Sequence, residues 1–559
     1  MPVRLAQVIL TALLLGTMLM VSACGGDAST QQQVSKDQAY FDSLLKHAQA
    51  IGVPQSLLQP LMEQEQALNQ THAPFSLFNN HNTDEYYSNV ATRYQQLTIQ
   101  LQGIVATSTE QAANTAEHDL QNLQTTLARC SAQGLPVQNF TRQLNQERLL
   151  LHSAQYPKDY AAISAQARTA TQALNLLQQT STNLTTLKNT ISQMQNAQID
   201  VTWLQMQYAS DQQTMTTATT PADFQQLGAL IDAQYLQAVI HTTQAIPYVT
   251  TAKLHDFASQ IQSLKSYGGD TTAYQKELTA DQARMNLPMN LQDYITFSKQ
   301  IDTNMSTLHS NLLKTKASYL VNQFHQEVNN WGNAHLYHDT FNGKNYPIDA
   351  GYMSAGIGSD LDGDLSAAVT PDDFQNVVNE AQNDLFDLHM LEADYADSTP
   401  YTQPHNTDLQ MLQHYNLIHG QVIVVSMAEQ ALRVYQDGNL VRAIQVTTGQ
   451  EALPSLPGVW QVLARESPTV FKSPDPPDSP YWYPDTPIHY AILYHSGGYF
   501  IHDSWWRADY GPGTQFPHYD SGGDEAFAGT GSHGCVNVPL DQAAWLYSNT
   551  NWQTQIVIY

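Results

Sequence analysis

From Ser29 to about Asn329 the chain sets apolar residues at three- and four-residue steps on a background of Gln, Ala, Thr, Asn and Leu, with few glycines. Leu177, Leu184, Leu187, Ile191, Met194 and Val201 form a heptad-like seam, the spacing of a helix that buries one stripe. After Trp331 the texture shifts to Gly, Asn, Asp and Tyr, with one further helical segment from Pro371 to about Tyr395 and a break at Pro400 and Pro404. From Gly420 the period becomes that of strands. Gln421–Val425, Ala431–Tyr435 and Leu440–Val446 make a hairpin series around an Asp437-Gly438 turn. Gly458–Leu463, Ala491–Tyr494, Tyr499–Ile501 and Gln555–Ile558 continue it, and one short helix is expected over Leu540–Tyr547.

The helical region repeats. Gly134, Phe140, Leu144 and Tyr160 match Gly268, Tyr274, Leu278 and Tyr294 at one common offset, and Gly52, Pro54, Leu58 and Met62 match Gly134, Pro136, Phe140 and Leu144 at another. A helix-start phrase recurs in Pro157-Lys158-Asp159-Tyr160, Pro221-Ala222-Asp223-Phe224, Leu291-Gln292-Asp293-Tyr294 and Pro371-Asp372-Asp373-Phe374. Proline and aspartate suit the free N–H groups of a first turn, and the aromatic begins the buried stripe. Stacked helical hairpins related by duplication are expected. They form a spacer or stalk, or a face that contacts a wall polymer or a protein partner.

Composition narrows the function. The 559 residues carry 23 Lys+Arg against 50 Asp+Glu, a net charge of −27, with no basic run able to neutralise phosphates, so nucleic-acid binding is not expected. Three cysteines lie far apart, which implies no disulfide framework, and no spacing of the zinc type occurs. Cys130 lies in a helical segment and reads as an inert buried thiol. Asp360–Asp364 looks briefly like a calcium loop, but Leu365 and Pro371 stand where glycine and glutamate are required, so it reads as an acidic turn. At the N-terminus, Arg4, an apolar run from Leu5 to Val21 and Ser22-Ala23-Cys24 resemble a bacterial lipoprotein signal. That resemblance implies cleavage before Cys24, lipidation of it and an extracytoplasmic, membrane-anchored protein. An uncleaved transmembrane anchor is the alternative.

The candidate chemistry is in Gly531-Ser532-His533-Gly534-Cys535-Val536-Asn537. A thiol between small residues leaves room for a carbonyl to approach. The backbone N–H groups of Gly534 and Cys535 can face an oxyanion, and an imidazole supplies the base. His502 follows Tyr499-Phe500-Ile501 at what reads as a strand end. The alternative base, His518, sits in Gln515–Asp520, which reads as an inserted loop. The stretches 467–487 and 505–528 either frame the cleft or are surface loops.

Ser532–Asn537 resembles the Ser-His-Gly-Cys-apolar-Asn/Arg signature of the L,D-transpeptidase (YkuD) domain. The hairpin from Gln421 to Gly449 and the Tyr499–His502 phrase are similar to the same family. Two departures stand out. Pro454-Ser455-Leu456-Pro457-Gly458 replaces a Thr-Pro-x-Gly phrase, and 29 residues separate His502 from Ser532, more than in many members. The resemblance implies a mostly-β catalytic domain that acts on peptidoglycan stem peptides as donor and acceptor and needs no metal or organic cofactor. Cys535 is then the nucleophile, His502 the base and Asp503 its orienting partner. His533 and Gly534 border the oxyanion, and Ser532 and Asn537 fix the loop and the donor peptide, although Asn537 reads equally well as a capping side chain. The fold class is therefore multidomain, a long all-α helical-repeat N-terminal region followed by a C-terminal mostly-β YkuD-like domain. The expected boundaries are a signal over 1–23, a tether over 24–36 and helical repeats over 37–330. An irregular segment with a further helix spans 331–400, a linker 401–419 and the catalytic domain 420–559. A thiol carboxypeptidase acting on stem peptides and a structural wall-binding lipoprotein are the rival functions.

Overall fold

The computed structural model describes residues 28–73, 81–524 and 526–559. Cys24 and the rest of the expected signal lie outside them. Among the described residues no helix is long and apolar enough to cross a membrane.

The chain forms two compact units, one ending at residue 118 and including 149–165, the other made of 119–148 and 166–559. In the first, helices α1 (Ala28–Ala50), α2 (Gln55–Asn69) and the start of α3 (His81–Ala132) bury Phe41, Leu45, Leu58, Leu61, Tyr94 and Leu101 against one another. The second unit begins with a series of helices. These are the end of α3, most of α4 (Gln138–Ser153), most of α5 (Pro157–Asn196), α6 (Thr202–Thr217), α7 (Pro221–His241), α8 (Ile246–Ser266), α9 (Thr272–Met285) and α10 (Leu291–Ala334). Every residue of the heptad-like seam from Leu177 to Val201 is buried.

The repeated sequence phrases are helix ends. Each proline-or-leucine, aspartate, aromatic phrase opens a helix at Pro157, Pro221, Leu291 or Pro371. In the last three a Thr or Asn N-cap and the aspartate three residues on form a reciprocal capping box, Thr220 with Asp223, Asn290 with Asp293 and Thr370 with Asp373. Gly52, Gly134 and Gly268 all have positive φ just past a helix end, where a residue with a Cβ is strained. After Gly134, Leu135 N–H returns to Cys130 O at 3.1 Å, and after Gly268, Gly269 N–H returns to Leu264 O at 3.0 Å, the closing bond of a Schellman turn. The common offset thus repeats the same stop and start signals.

The segment 331–419 differs from expectation. Helix α10 continues through Trp331 to Ala334, and a short hairpin of β1 (Tyr337–His338) and β2 (Asn345–Tyr346) follows. The acidic phrase Asp360–Asp364 is not a turn but lies within helix α11 (Ile357–Ala367). Helix α12 (Pro371–Tyr395) comes next, and the stretch expected as a linker holds α13 (Asn406–His414) with Thr407, Asp408, Met411, Leu412, Tyr415 and Leu417 buried. Together with the second half of α10, these helices share one continuous core with the strands that follow. Thr407 and Asp408, and His405 through Nδ1, look like linker residues, yet their polarity is satisfied by the protein instead of by water.

The strands after α13 make two larger sheets and one separate hairpin. The larger has the order β5 (Asn439–Gln445), β4 (Ala431–Gln436), β3 (Gln421–Ser426), β13 (Gln555–Ile558), β6 (Gly458–Gln461), with β13 parallel to β3. Val422–Val425 are all buried, so both faces of β3 are covered. One face meets α13: Arg433 Nη2 and Nε both donate to the Asp408 carboxylate, and Tyr435 and Tyr559 hydroxyls donate to it at 2.6 and 2.7 Å. Beside it, Asp394 accepts from His405 Nδ1 at 2.8 Å, Thr407 Oγ1 at 2.9 Å and Ser426 Oγ at 2.5 Å. The smaller sheet runs β12 (Val536–Val538), β11 (Tyr499–Asp503), β10 (Ala491–His495), β7 (Ala464–Glu466). Helix α14 (Leu540–Asn549) follows β12, two residues longer than expected. A separate hairpin, β8 (Thr469–Phe471) with β9 (Thr486–Ile488), carries the proline-rich stretch between them.

Candidate active site

The parallel pairing of β11 with β12 assembles the site. His502 lies directly across from Asn537, so Cys535, two residues earlier on the same face as Asn537, comes beside Phe500. Phe500 N–H donates to the Cys535 sulfur at 3.4 Å, and the thiol reaches Gly498 O at 3.7 Å. The thiol is partly exposed at the floor of a cleft of about 370 Å³. His502, Ser532, His533 and Asn537 line the same cleft. His518 does not; its Nδ1 is bound to Phe516 O at 2.8 Å within the inserted loop.

The tautomer of His502 follows from its partners. Nδ1 lies 2.8 Å from the Asp503 backbone carbonyl, which can only accept, so Nδ1 carries the proton. Arg507 Nε donates to Asn537 Oδ1 at 2.9 Å, which turns the Asn537 amide so that Nδ2 donates to His502 Nε2 at 3.1 Å. Nε2 is therefore the basic nitrogen. Asp503 orients the ring through its main chain. Its carboxylate faces away and accepts from His489 N–H, His489 Nδ1 and Tyr490 N–H at 2.7–2.9 Å. Burial lowers the His502 pKa to about 4, against the opposing pull of the Asp503 carbonyl. Burial also pushes the Cys535 thiol up to about 11, with Phe500 N–H working the other way. At neutral pH the pair is a thiol and a neutral imidazole, not a preformed ion pair.

The glycine before the cysteine aims the backbone. Gly534 has φ +105°, and a Cβ there would meet the Tyr499 ring at 2.5 Å, so the position demands glycine. Gly534 O accepts from Ser455 Oγ at 2.7 Å and Tyr494 OH at 3.4 Å, both buried. In a trans peptide the N–H points opposite the carbonyl, so anchoring Gly534 O inward turns Cys535 N–H outward. Gly534 N–H, expected as an oxyanion donor, instead donates to Ser532 Oγ at 3.1 Å, and Ser532 Oγ donates to Cys535 O at 2.5 Å. The loop is thus clamped by Ser532, and Cys535 N–H remains the better oxyanion donor. Asn537 is no helix cap; it links Arg507 to His502.

The two inserted stretches frame the cleft. Phe471, at the end of β8, packs on Phe500 and His502 with ring centroids 4.6 and 4.9 Å apart. Tyr483 stacks on His533 at 5.5 Å, and burial lowers the His533 pKa. On the other side, Trp505, Trp506 and Phe527 line the opening. The 29 residues between His502 and Ser532 fold back tightly: the Asp520 carboxylate accepts from Ala508, Asp509 and Gly522 N–H, and Gly531 N–H donates to Gln515 O. Arg507 and Ser455 went unnoticed in the sequence. The departure at Pro454–Gly458 was the available signal for Ser455, and the Trp505-Trp506-Arg507 run after His502 was the one for Arg507.

Residues 420–558 match the family model for YkuD, the L,D-transpeptidase catalytic domain. This part of the chain is a YkuD domain. Three solved structures are similar to it. A variant of the Enterococcus faecium L,D-transpeptidase in which a cysteine is replaced by serine is 24% identical over 26% of this chain and 51% of its own, with TM-score 0.21. The L,D-transpeptidase from Mycobacterium smegmatis is 23% identical over 25% and 58%, with TM-score 0.21. The catalytic domain of the E. faecium enzyme is 23% identical over 25% of this chain and 96% of its own, with TM-score 0.20. The chain thus spans about half the length of the first of these relatives. No curated protein matches it. The YkuD match begins at 420, yet the core of the domain extends back into helices α10 to α13.

Proposed function

We propose that the protein is a cell-wall L,D-transpeptidase that joins peptidoglycan stem peptides through a cysteine acyl-enzyme. The observation that carries this reading is the shared cleft in which Cys535, a neutral His502 with Nε2 as acceptor, and the outward Cys535 N–H meet. The donor carbonyl comes to the Cys535 sulfur, and His502 Nε2 exchanges its Asn537 contact for the thiol proton as the S–C bond forms. Cys535 N–H holds the oxyanion. Collapse breaks the C–N bond, His502 hands the proton to the departing amino acid, and a thioester remains. An acceptor amine then attacks the thioester, His502 takes its proton, and the thiol is regenerated. The helical region serves as spacer, and lipidation at Cys24 would hold the enzyme at the outer face of the cytoplasmic membrane near its substrate.

The test is mass spectrometry of stem tetrapeptides incubated with the full chain and with Cys535→Ala. Cross-linked dimers from the wild type, none from the variant, and an intact variant fold are expected. Dimers from Cys535→Ala would remove the proposal, and trimmed monomers in place of dimers would reassign the acyl group to water. Labelling of Cys535 by a carbapenem-type β-lactam, read by intact mass, checks the acyl-enzyme separately.

A further inference from the structure

Arg507 is a buried cation that no carboxylate of the described residues contacts. Its residue exposure is 7%, Nε donates to Asn537 Oδ1 and Nη1 to Ala528 O, and Nη2 has no partner among the described residues. The carboxylates around it are committed elsewhere. Asp520 accepts backbone N–H groups from Ala508, Asp509 and Gly522, and Asp503 faces His489 and Tyr490. The nearby Tyr510 hydroxyl is held by Ser504. In a chain of net charge −27, an unpaired buried guanidinium is unexpected. Enclosing a cation without an anion is costly unless an anion arrives from outside. Arg507 lines the cleft together with Cys535 and Asn537.

We infer that Arg507 binds the terminal α-carboxylate of the amino acid that leaves during acylation. The inference rests on the transpeptidase reading for the identity of that amino acid. The geometry suits it. Cys535 and Asn537 are two strand positions apart, about 7 Å, and Arg507 contacts Asn537. A leaving residue places its carboxylate one residue, about 4 Å, beyond the attacked carbonyl. A planar guanidinium held by Nε and Nη1 can donate from Nη2 to a carboxylate in a more fixed direction than an ammonium does. The group thereby makes a free C-terminus, one residue past the scissile bond, a condition for acylation.

Two probes test this on the full chain at pH 7, with Cys535→Ala as the blank. Iodoacetate and iodoacetamide each alkylate the Cys535 thiol, forming an S–C bond and releasing iodide and the thiol proton; they differ only in a carboxylate. Arg507→Gln should lower the iodoacetate-to-iodoacetamide rate ratio roughly tenfold, the scale of one charge-assisted contact, whereas Arg507→Lys keeps most of it. The iodoacetamide rate reports any damage to the thiol or the fold. An unchanged ratio in Arg507→Gln overturns the proposal. Should that variant not fold, the wild type decides: Cys535 should favour iodoacetate relative to free cysteine despite the protein's negative charge, and disfavouring it overturns the proposal. With stem peptides, amidating the C-terminus should raise KM in the wild type and not in Arg507→Gln; an equal rise in both also overturns it. If no stem peptide acylates the wild type, the transpeptidase reading fails while the alkylation ratio still decides the role of Arg507.

Discussion

The second unit buries two arginines and treats them in opposite ways. Arg433, on the helix-facing side of the large sheet, is fully enclosed and gripped by Asp408 and Glu429; burial works against its charge, but Asp408 outweighs it and holds the pKa above the ordinary range. Arg507, at the cleft, has only the amide of Asn537 and a backbone carbonyl, and burial draws its pKa down to about 10. The first network is closed around its cation, with Arg433 Nε, Nη1 and Nη2 each meeting a carboxylate of the same chain. The second is open, running from Arg507 through Asn537 to a basic imidazole nitrogen in the same cleft as the thiol. A closed network holds α13 against the sheet, whereas an open one stores unmet binding capacity where a substrate can use it.

The largest effect expected from breaking the open side is at its end. His502→Gln should reduce acylation of Cys535 by about 10²–10⁴-fold, the usual worth of a positioned general base, with little change in thermal stability. His518→Gln, in the loop outside the cleft, should change the rate by far less, and a comparable loss there would move the base into the loop. Burial keeps His502 neutral down to about pH 4, so acylation should persist well below pH 6.5 and fall only as pH drops through that lower value. On the closed side, Asp408→Asn should cost about 3–5 kcal/mol of stability by leaving Arg433 without its main anion, measurable by denaturant unfolding. For the same reason a chain begun at residue 420 should not fold. A soluble, cooperatively melting 420–559 fragment would show that α13 is dispensable.

What the sequence made legible follows the same division. Ser532–Asn537 is a local phrase, and His502 ends a strand whose apolar alternation is plain, so both could be read without coordinates. The helix ends were legible because capping is also local: proline, aspartate and glycine act within one turn. Arg507 was not, because its meaning depends on a 29-residue loop returning Ala528 O to one nitrogen and on β12 presenting Asn537 to another. The closed network was misread for a related reason. His405, Thr407 and Asp408 follow Pro404 and look like a solvated linker, yet their partners lie in α12, in β4 and at Tyr559. Polarity in sequence does not say whether water or protein satisfies it.

Asp387 lies between the two cases. It is enclosed with Tyr415 OH, at 2.6 Å, as a donor, and burial raises its pKa to about 8 against the weaker pull of that bond. Asp349, also buried, is raised to about 6 by burial. Both exceed the unfolded value of 3.8, so the folded state keeps protons that the unfolded chain loses. Stability from these groups is full below about pH 4 and declines as pH rises toward 8. Asp387→Asn keeps an acceptor for Tyr415 and removes the titration. It should raise stability by about 2–3 kcal/mol at pH 8 and flatten the pH dependence, as read from Tm across pH 4–9. A variant as pH-sensitive as the wild type would place the titration elsewhere.

The smallest effect probes the middle link of the open network. Asn537→Ala removes the donor that holds His502 Nε2, a bond made only to the neutral ring and therefore one that helps keep the pKa low. Its loss should cost about 1–2 kcal/mol in the acylation step, close to tenfold in rate, and shift the acid limb of the rate upward from about pH 4 toward 6.5. The upward shift is the informative part. A simple packing defect lowers the rate at every pH alike, whereas loss of a hydrogen bond to the neutral imidazole moves the limb. If the limb stays near pH 4, burial alone sets the basicity of His502, and Asn537 serves only to connect Arg507 with the strand.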